Sequence, residues 1–281
     1  MVSAGRKLRD AIARGPVVAA GGFNPFVARL VQDAGFEAVY VSGAAMANSL
    51  AQRDEGLLPR SVVLDLTRPI VSAVDIPVIV DIDTGFGGPK GTAVTIEQFE
   101  AAGVAAVQIE DQDPRWKRCG HLEGKHLIAT QRMVEKVRAA VAARRDRDFV
   151  IIARTDARAV EDFDGAVARA RAYEAAGADV IFPEALTTRD EFAAFRRAVK
   201  VPLVANMTEF GKTPWLTDAE FAELGYGIIL HPVTSFRLAA KAIKDALREM
   251  REHGNQEPLI KAGRLMTRDE IDAYLIDSPY L

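Results

Sequence analysis

The sequence predicts a (β/α)8 TIM-type barrel with an extended C-terminal helical tail. Eight short runs rich in β-branched residues alternate with Ala-rich segments of helical period. The runs are apolar throughout and do not alternate with polar residues, which is the pattern of a parallel sheet buried on both faces. Eight such units suit a closed barrel better than an open sheet, and 281 residues is an ordinary length for one.

In chain order, the predicted strands are 17–20, 38–41, 78–81, 105–110, 149–154, 179–183, 203–206 and 227–230. Ala34-Gly35, Ala102-Gly103, Ala176-Gly177 and Leu224-Gly225 each precede a strand by a few residues. Glycine fits there as the left-handed residue that closes a helix. Ile76-Pro77 and Val201-Pro202 mark two further strand starts, where proline is tolerated. After the first strand, Gly21-Gly22-Phe23-Asn24 lacks the Gly-x-Gly-x-x-Gly spacing of a dinucleotide-binding sheet. A long helix is expected over 234 to about 253, then a Pro/Gly-containing stretch and a short helix near 267–274. The expected domains are therefore a barrel over 1–253 and a helical tail over 254–281, packed on the same or a neighbouring barrel.

Composition narrows the function classes. The chain is 49% hydrophobic and 27% charged, with a formal net charge of -3 and no long Lys/Arg run, which argues against nucleic acid as a partner. The N-terminal segment carries Arg6, Lys7, Arg9, Asp10 and Arg14 without an apolar stretch, and no segment is long enough to span a bilayer. One cysteine rules out an intramolecular disulfide. A cytoplasmic location is expected.

Chemistry-bearing residues gather at the C-terminal ends of the predicted strands, where barrel enzymes build their sites. Tyr40 and Ser42-Gly43 follow the second strand, Asp81 and Asp83 the third, Glu110 and Asp111 the fourth. Arg154 and Asp156 follow the fifth, Glu184 the sixth, Asn206, Thr208 and Glu209 the seventh, and His231 the eighth. Asp81 and Asp83 are expected on one side of an extended strand end. With Glu110 and Glu184 nearby, these hard oxygen donors suit Mg2+, or Mn2+, better than Zn2+. The plainer alternative is a helix cap and an ion pair. Arg154 and Arg237 suit a polycarboxylate through bidentate bonds; ordinary pairing with Asp156 or Glu184 is the alternative.

The lone cysteine stands in Lys117-Arg118-Cys119-Gly120-His121. Flanking cations favour a thiolate, and His121 can orient the thiol or bind a carboxylate. His126 and His253 read as structural or exposed, and the role of His231 is open.

Taken together, several strings resemble the isocitrate lyase / phosphoenolpyruvate mutase superfamily, most closely its 2-methylisocitrate lyase branch. They are Tyr40-Val41-Ser42-Gly43, Val80 to Gly87, Ile109-Glu110-Asp111-Gln112, Lys117 to His121, Ala153-Arg154-Thr155-Asp156, Phe182-Pro183-Glu184-Ala185 and Asn206 to Gly211. The resemblance spans nearly the whole chain, and the Lys-Arg-Cys-Gly-His string separates carbon–carbon lyases from phosphonate mutases. It implies a homotetramer with exchanged C-terminal helices and a di- or tricarboxylate substrate. Asp81 and Asp83 would hold Mg2+ directly, and Asp54 and Glu110 through water. Ser42, Gly43 and Ala44 would contact the α-keto acid part. Cys119, Gly120, Arg154, Glu184, Asn206, Met207, Thr208, Arg237 and, on a short Met-Thr-Arg match, Arg268 would surround the carboxylates.

The implied reaction splits 2-methylisocitrate into pyruvate and succinate, a step of propionate catabolism by the methylcitrate cycle. Cys119, His121, Tyr40 and Lys117 form the implied catalytic group. Cys119 is the candidate proton donor, its thiol restored by substrate charge, and the base is Tyr40 or a metal-linked carboxylate. Ala44 replaces a family glycine, and Gln52-Arg53-Asp54-Glu55-Gly56 keeps the aspartate while exchanging apolar neighbours for charge. Phe182, Leu230 and Pro232 form the apolar set of the methylisocitrate branch. The rival readings are an oxaloacetate decarboxylase, a lyase for another substituted malate, and a non-catalytic dicarboxylate binder.

Overall fold

A computed structural model describes residues 2–276; the last part of the expected tail, 277–281, lies outside the described residues. Eight parallel strands appear where the sequence places them, within a residue or so at each end: β1 Val17–Gly21, β2 Ala38–Val41, β3 Val78–Asp81, β4 Ala106–Glu110, β5 Val150–Thr155, β6 Val180–Pro183, β7 Val204–Asn206 and β8 Ile228–His231. Their order is β6-β5-β4-β3-β2-β1-β8-β7. A single parallel bridge, Ile181 to Leu203, joins the two ends into a nearly closed barrel, with the Ile181 N–H donating to Pro202 O at 3.0 Å.

Strand parity sorts the residues into two cores. Val39, Val41, Val78, Val80, Val107 and Ile109 face outward and pack beneath the helices. Ala38, Tyr40, Ile79, Ala106, Val150, Ile152, Val180, Phe182, Val204, Ile228 and Leu230 fill the barrel itself. The inward parity continues upward to Asp81, Gln108, Glu110, Arg154, Glu184 and Asn206, so the same alternation that fills the barrel delivers polar side chains to its mouth.

The bottom is closed by α1 (Ala4–Arg14), whose Leu8 joins the inner core. Arg6 and Arg9 clamp that helix to Asp148 and Asp179, at 2.8 and 2.7 Å. The outer layer runs α2 Pro25–Asp33, α3 Gly43–Ser49, α4 Arg60–Ala73, α5 Pro89–Ala101, α6 Thr130–Ala143, α7 Phe163–Ala175, α8 Arg189–Ala198 and α9 Asp218–Glu223. Side-chain caps start several of them, among them Asn24, Ser42, Asp162 and Thr188.

The long final helix α10 spans Thr234–His253 and closes at Gly254, φ +78°. It buries none of its own residues in the described chain and exposes Leu238, Ile243 and Leu247. Two short helices follow, α11 Glu257–Lys261 and α12 Arg268–Asp272. Beyond them the Tyr274 hydroxyl donates to Asp33 of α2 at 2.8 Å, and its ring meets Phe26 edge-on. Among the described residues no helix is long and apolar enough to cross a membrane.

Candidate active site

The inward-facing strand ends line a cavity at the C-terminal mouth of the barrel. Its acidic corner begins where β3 stops. Asp83 does not continue the extended strand as the period-two expectation has it; its φ is +47°, and its N–H donates to Asp81 Oδ1 at 3.0 Å. The two carboxylates converge through a left-handed turn. Buried Lys136 of α6 braces that turn by donating to Thr84 O at 2.9 Å. The Gly43 N–H donates to Asp81 Oδ2 at 3.2 Å, and a Cβ at Gly43 would stand only 3.0 Å from that oxygen.

Lys117 is buried between Asp54 and Asp83, 2.7 Å from Asp83 Oδ1. Burial alone would lower its pKa, but Asp83, Glu110, Asp54 and Asp81 together hold it well above the usual lysine value. The acids still outnumber the cations. Burial, then the neighbouring Asp83, pushes Asp81 up to about 7. Burial likewise raises Glu110, against the pull of Arg154. Among the described residues Glu110 Oε1 has no hydrogen-bond partner, and no three His, Cys, Asp or Glu side chains already form a cation cage. An unpartnered buried oxygen and two carboxyls whose pKa values burial raises fit a corner completed by a small hard cation.

Beside that corner, Arg154 sits among three carboxylates. Its guanidinium donates to Asp156 at 2.9 and 3.1 Å, lies 2.9 Å from Glu184 and 3.4 Å from Glu110, and stacks over Phe182 at 5.1 Å. Asn206 donates to both oxygens of Glu184, at 3.4 and 3.3 Å. Arg237 reaches the rim, where it donates to Glu209 O at 2.6 Å and covers the exposed Phe210 ring. Ser42, Ala44 and Thr208 also line the cavity, and Leu230, Pro232 and Val233 give it an apolar side.

Two expected residues stand elsewhere, and His231, whose role the sequence leaves open, takes a rim ion pair. Met207 turns its side chain into the core at 4% exposure, because the parity after Asn206 points it outward. Arg268 is exposed at the start of α12 and, among the described residues, does not line the cavity. His231 pairs with Asp218 at 2.9 Å.

The cysteine rides on a loop whose neck is an antiparallel bridge between Gln112 and Leu127, reinforced by Asp113 N–H to His126 O at 2.7 Å. Inside the loop the Gln112 amide accepts from Arg118 N and donates to Arg118 O, at 3.0 and 2.9 Å. The Lys212 N–H donates to His121 Nδ1 at 3.1 Å, which leaves the ring proton on Nε2, 3.0 Å from Glu184. Gly120 is obligatory: a Cβ would lie 2.1 Å from Arg154 Nη2 and 2.8 Å from Glu184.

The thiolate expected from the flanking cations is overturned. Lys117 turns to Asp54 and Asp83, and Arg118 reaches Glu123 O. Burial dominates at Cys119, with Asp54 and Glu184 adding to it, and raises the thiol above its ordinary value despite the His121 N–H and Arg154. Burial therefore favours the thiol form before any substrate binds. Iodoacetamide alkylation of this single cysteine should show a pH midpoint above that of a free cysteine, because the reactive thiolate appears only as pH rises through the elevated pKa. A midpoint below that of a free cysteine would restore the original expectation.

The expectation of Tyr40 as a base is corrected in the same way. Burial, then Asp81, raises its hydroxyl well above the usual tyrosine value, and the hydroxyl already donates to Gln108 at 2.6 Å. Tyr40 lines the cavity as a neutral donor.

The profile of the phosphoenolpyruvate phosphomutase family matches residues 8–251. A 2-methylisocitrate lyase of Aeropyrum pernix is 52% identical over 95% of this chain and 85% of its own. The chain belongs to the phosphoenolpyruvate mutase/isocitrate lyase superfamily. Among solved structures of this superfamily, a 2,3-dimethylmalate lyase superposes with a TM-score of 0.91 at 37% identity, covering 98% of this chain and 92% of its own. A phosphonopyruvate hydrolase in complex with oxalate and Mg2+ gives a TM-score of 0.86 at 35% identity, over 97% of this chain and 94% of its own.

For a member of this superfamily, the sequence placed Asp111 at the end of β4 but gave it no role; the structure makes it a support behind the site. Asp111 is buried and accepts from Thr155 Oγ1, Asp156 N and Tyr173 Oη at 2.8, 3.0 and 2.7 Å, fixing the β4 and β5 ends together. Gln108, Gln112 and Lys125 were missed. The one available signal was polar residues within or beside apolar runs, since a buried polar group needs a partner.

Proposed function

We propose that this protein is a Mg2+-dependent carbon–carbon lyase that splits 2-methylisocitrate into pyruvate and succinate. The observation that carries the reading is that Cys119 lines one cavity with Arg154, Glu184 and the acidic corner of Asp81 and Glu110. The 52% identity to a 2-methylisocitrate lyase supports the substrate class.

Arg154, Asn206, Thr208 and Arg237 bind and orient the substrate carboxylates, and the Ser42-Gly43-Ala44 backbone meets the part that becomes the α-keto acid. Asp81 and Asp83 would hold the cation, and Asp54 and Glu110 would steady it. The chemistry Mg2+ would supply there is stabilisation of the negative charge that develops on the substrate oxygen. A carboxylate of the Asp81–Glu110 group takes the hydroxyl proton, since Tyr40 is already a donor to Gln108. The carbon–carbon bond breaks, the oxygen becomes the pyruvate carbonyl, and the bonding pair passes to the succinate carbon. Cys119 protonates that carbon, and solvent returns the proton from the carboxylate to the thiolate. His121, fixed by Lys212 and Glu184, keeps the loop in place over the site. Lys117 holds Asp54 and Asp83 in the acidic corner.

Phe182, Leu230, Pro232 and Val233 give the extra substrate methyl an apolar wall. One methyl changes discrimination by about 1–3 kcal/mol, so isocitrate should be a poor substrate and not an inert one. The exposed apolar row of α10 supports a homotetramer with exchanged C-terminal helices, and the proposed reaction would belong to propionate catabolism in the cytoplasm.

The test is direct. The protein is incubated separately with 2-methylisocitrate, isocitrate, 2,3-dimethylmalate and oxaloacetate, and the products are identified. Pyruvate and succinate should form fastest from 2-methylisocitrate; EDTA should abolish turnover, and Mg2+ or Mn2+ should restore it. Glyoxylate from isocitrate at equal efficiency, or preferred cleavage of 2,3-dimethylmalate or oxaloacetate, would assign a different substrate.

A further inference from the structure

Lys125 belongs to the cysteine loop, yet its side chain is almost completely buried. A lysine in that position needs acceptors, because an unpaired ammonium is costly away from water. It has two, and they belong to different parts of the molecule. One is the carbonyl of Gly120, inside the loop. The other is Asp156 Oδ1, at 2.6 Å, at the end of β5. That same oxygen receives Arg154 Nη2 at 3.1 Å.

The surroundings give this pair a fixed base. Asp156 is held from behind, its N–H donating to Asp111. Arg118, on the other flank of Cys119, is held through its backbone by Gln112. The thiol is thus bracketed on both sides, by Gln112 before it and by Lys125 after it. Gly120 completes the fit, since only a residue without Cβ lets the loop close on Arg154.

We propose that Lys125 is a positioning residue: it docks the Cys119-Gly120-His121 loop onto Asp156, so that the proton donor and the Arg154 guanidinium are set from one buried anchor. The role in turnover rests on the lyase reading above; the docking itself does not. An ammonium suits the task because its three donors point in different directions and serve a carbonyl and a carboxylate at once. Mere neutralisation of Asp156 would affect folding stability without changing access to the thiol.

The experiment uses K125M and K125Q in the full chain, with thermal unfolding as the check on folding. Because Cys119 is the only cysteine, iodoacetamide alkylation reports it alone. Rates are measured across pH so that ionisation and access separate. In K125M the limiting alkylation rate should rise about ten-fold or more, and kcat on 2-methylisocitrate should fall about 100-fold with a smaller change in KM, as expected when a reacting group is misplaced by about 1 Å. K125Q, which keeps a donor for Gly120, should lie between K125M and wild type. If K125M does not fold, the double variant K125M/D156N removes both charges together and takes the same measurements.

Wild-type alkylation in a folded variant overturns the docking, whatever happens to kcat. Faster alkylation with unchanged kcat overturns the positioning role. Absence of turnover in the wild-type protein would refute the lyase reading alone and leave the alkylation test of docking intact.

Discussion

Cys119→Ser should lower kcat on 2-methylisocitrate by about 10^2–10^4-fold, the range over which a positioned acid acts, while KM stays within a few-fold of wild type. The serine hydroxyl is nearly the same size and leaves the Gly120 contact with Arg154 untouched, so carboxylate binding should survive. What it loses is acidity, since a hydroxyl gives up its proton to carbon far less readily than a thiol. Steady-state kinetics together with succinate binding by calorimetry separate the two effects. A variant with near-normal kcat would remove Cys119 from the chemistry and leave decarboxylation as the stronger reading.

Arg154→Met should cost about 3–5 kcal/mol of stability, the usual result of removing one partner from a buried ionic cluster, and should abolish detectable turnover. The guanidinium faces Asp156, Glu184 and Glu110, and all three stay behind. In the wild-type protein burial would raise Glu184, but Arg154 and then His121 outweigh it and hold its carboxyl well below the usual range. Asp156 is likewise lowered, Arg154 and Lys125 overcoming its burial. A carboxylate with a depressed folded pKa adds stability above its unfolded pKa and loses it as pH falls toward the folded value. Without Arg154, burial dominates and the same groups are raised, so their cost is largest at neutral pH and shrinks on acidification. Urea unfolding at pH 7.5 and pH 5 should show a gap from wild type that narrows at the lower pH. A constant gap would mean that Arg154 acts by packing against Phe182 and not by charge.

Much of this site was legible because strands read by parity. Once residues 38–41, 78–81 and 105–110 were recognised as buried parallel strands, the positions of Tyr40, Asp81 and Glu110 at the mouth followed. The same rule places Arg154, Glu184 and Asn206 there, and it should have excluded the Met207 side chain. Asp83 escaped it because the strand ends at Asp81 and Asp83 itself lies in a turn whose φ, +47°, no propensity demands of an aspartate. The charge on Cys119 was misread for a different reason. Lys117 and Arg118 are adjacent in sequence, but both side chains turn away to other partners, and adjacency says nothing about where a long flexible side chain ends.

What the sequence determined by itself was the barrel, its strand boundaries to within a residue or so, and the gathering of acids, arginines and a single cysteine at one end of it. These depend on local periodicity and on backbone parity, which neighbouring residues are enough to set. What only the tertiary structure decided was the surroundings of those groups: a thiol whose pKa burial raises, a Tyr40 that donates to Gln108, an Arg154 held by three carboxylates, and a Lys125 that ties the cysteine loop to β5. These are properties of burial and of partners distant along the chain, such as Lys117 with Asp54, His121 with Lys212, and Lys125 with Asp156. Charge and protonation depend on the full three-dimensional surroundings because both desolvation and Coulomb interaction act through space, not along the backbone.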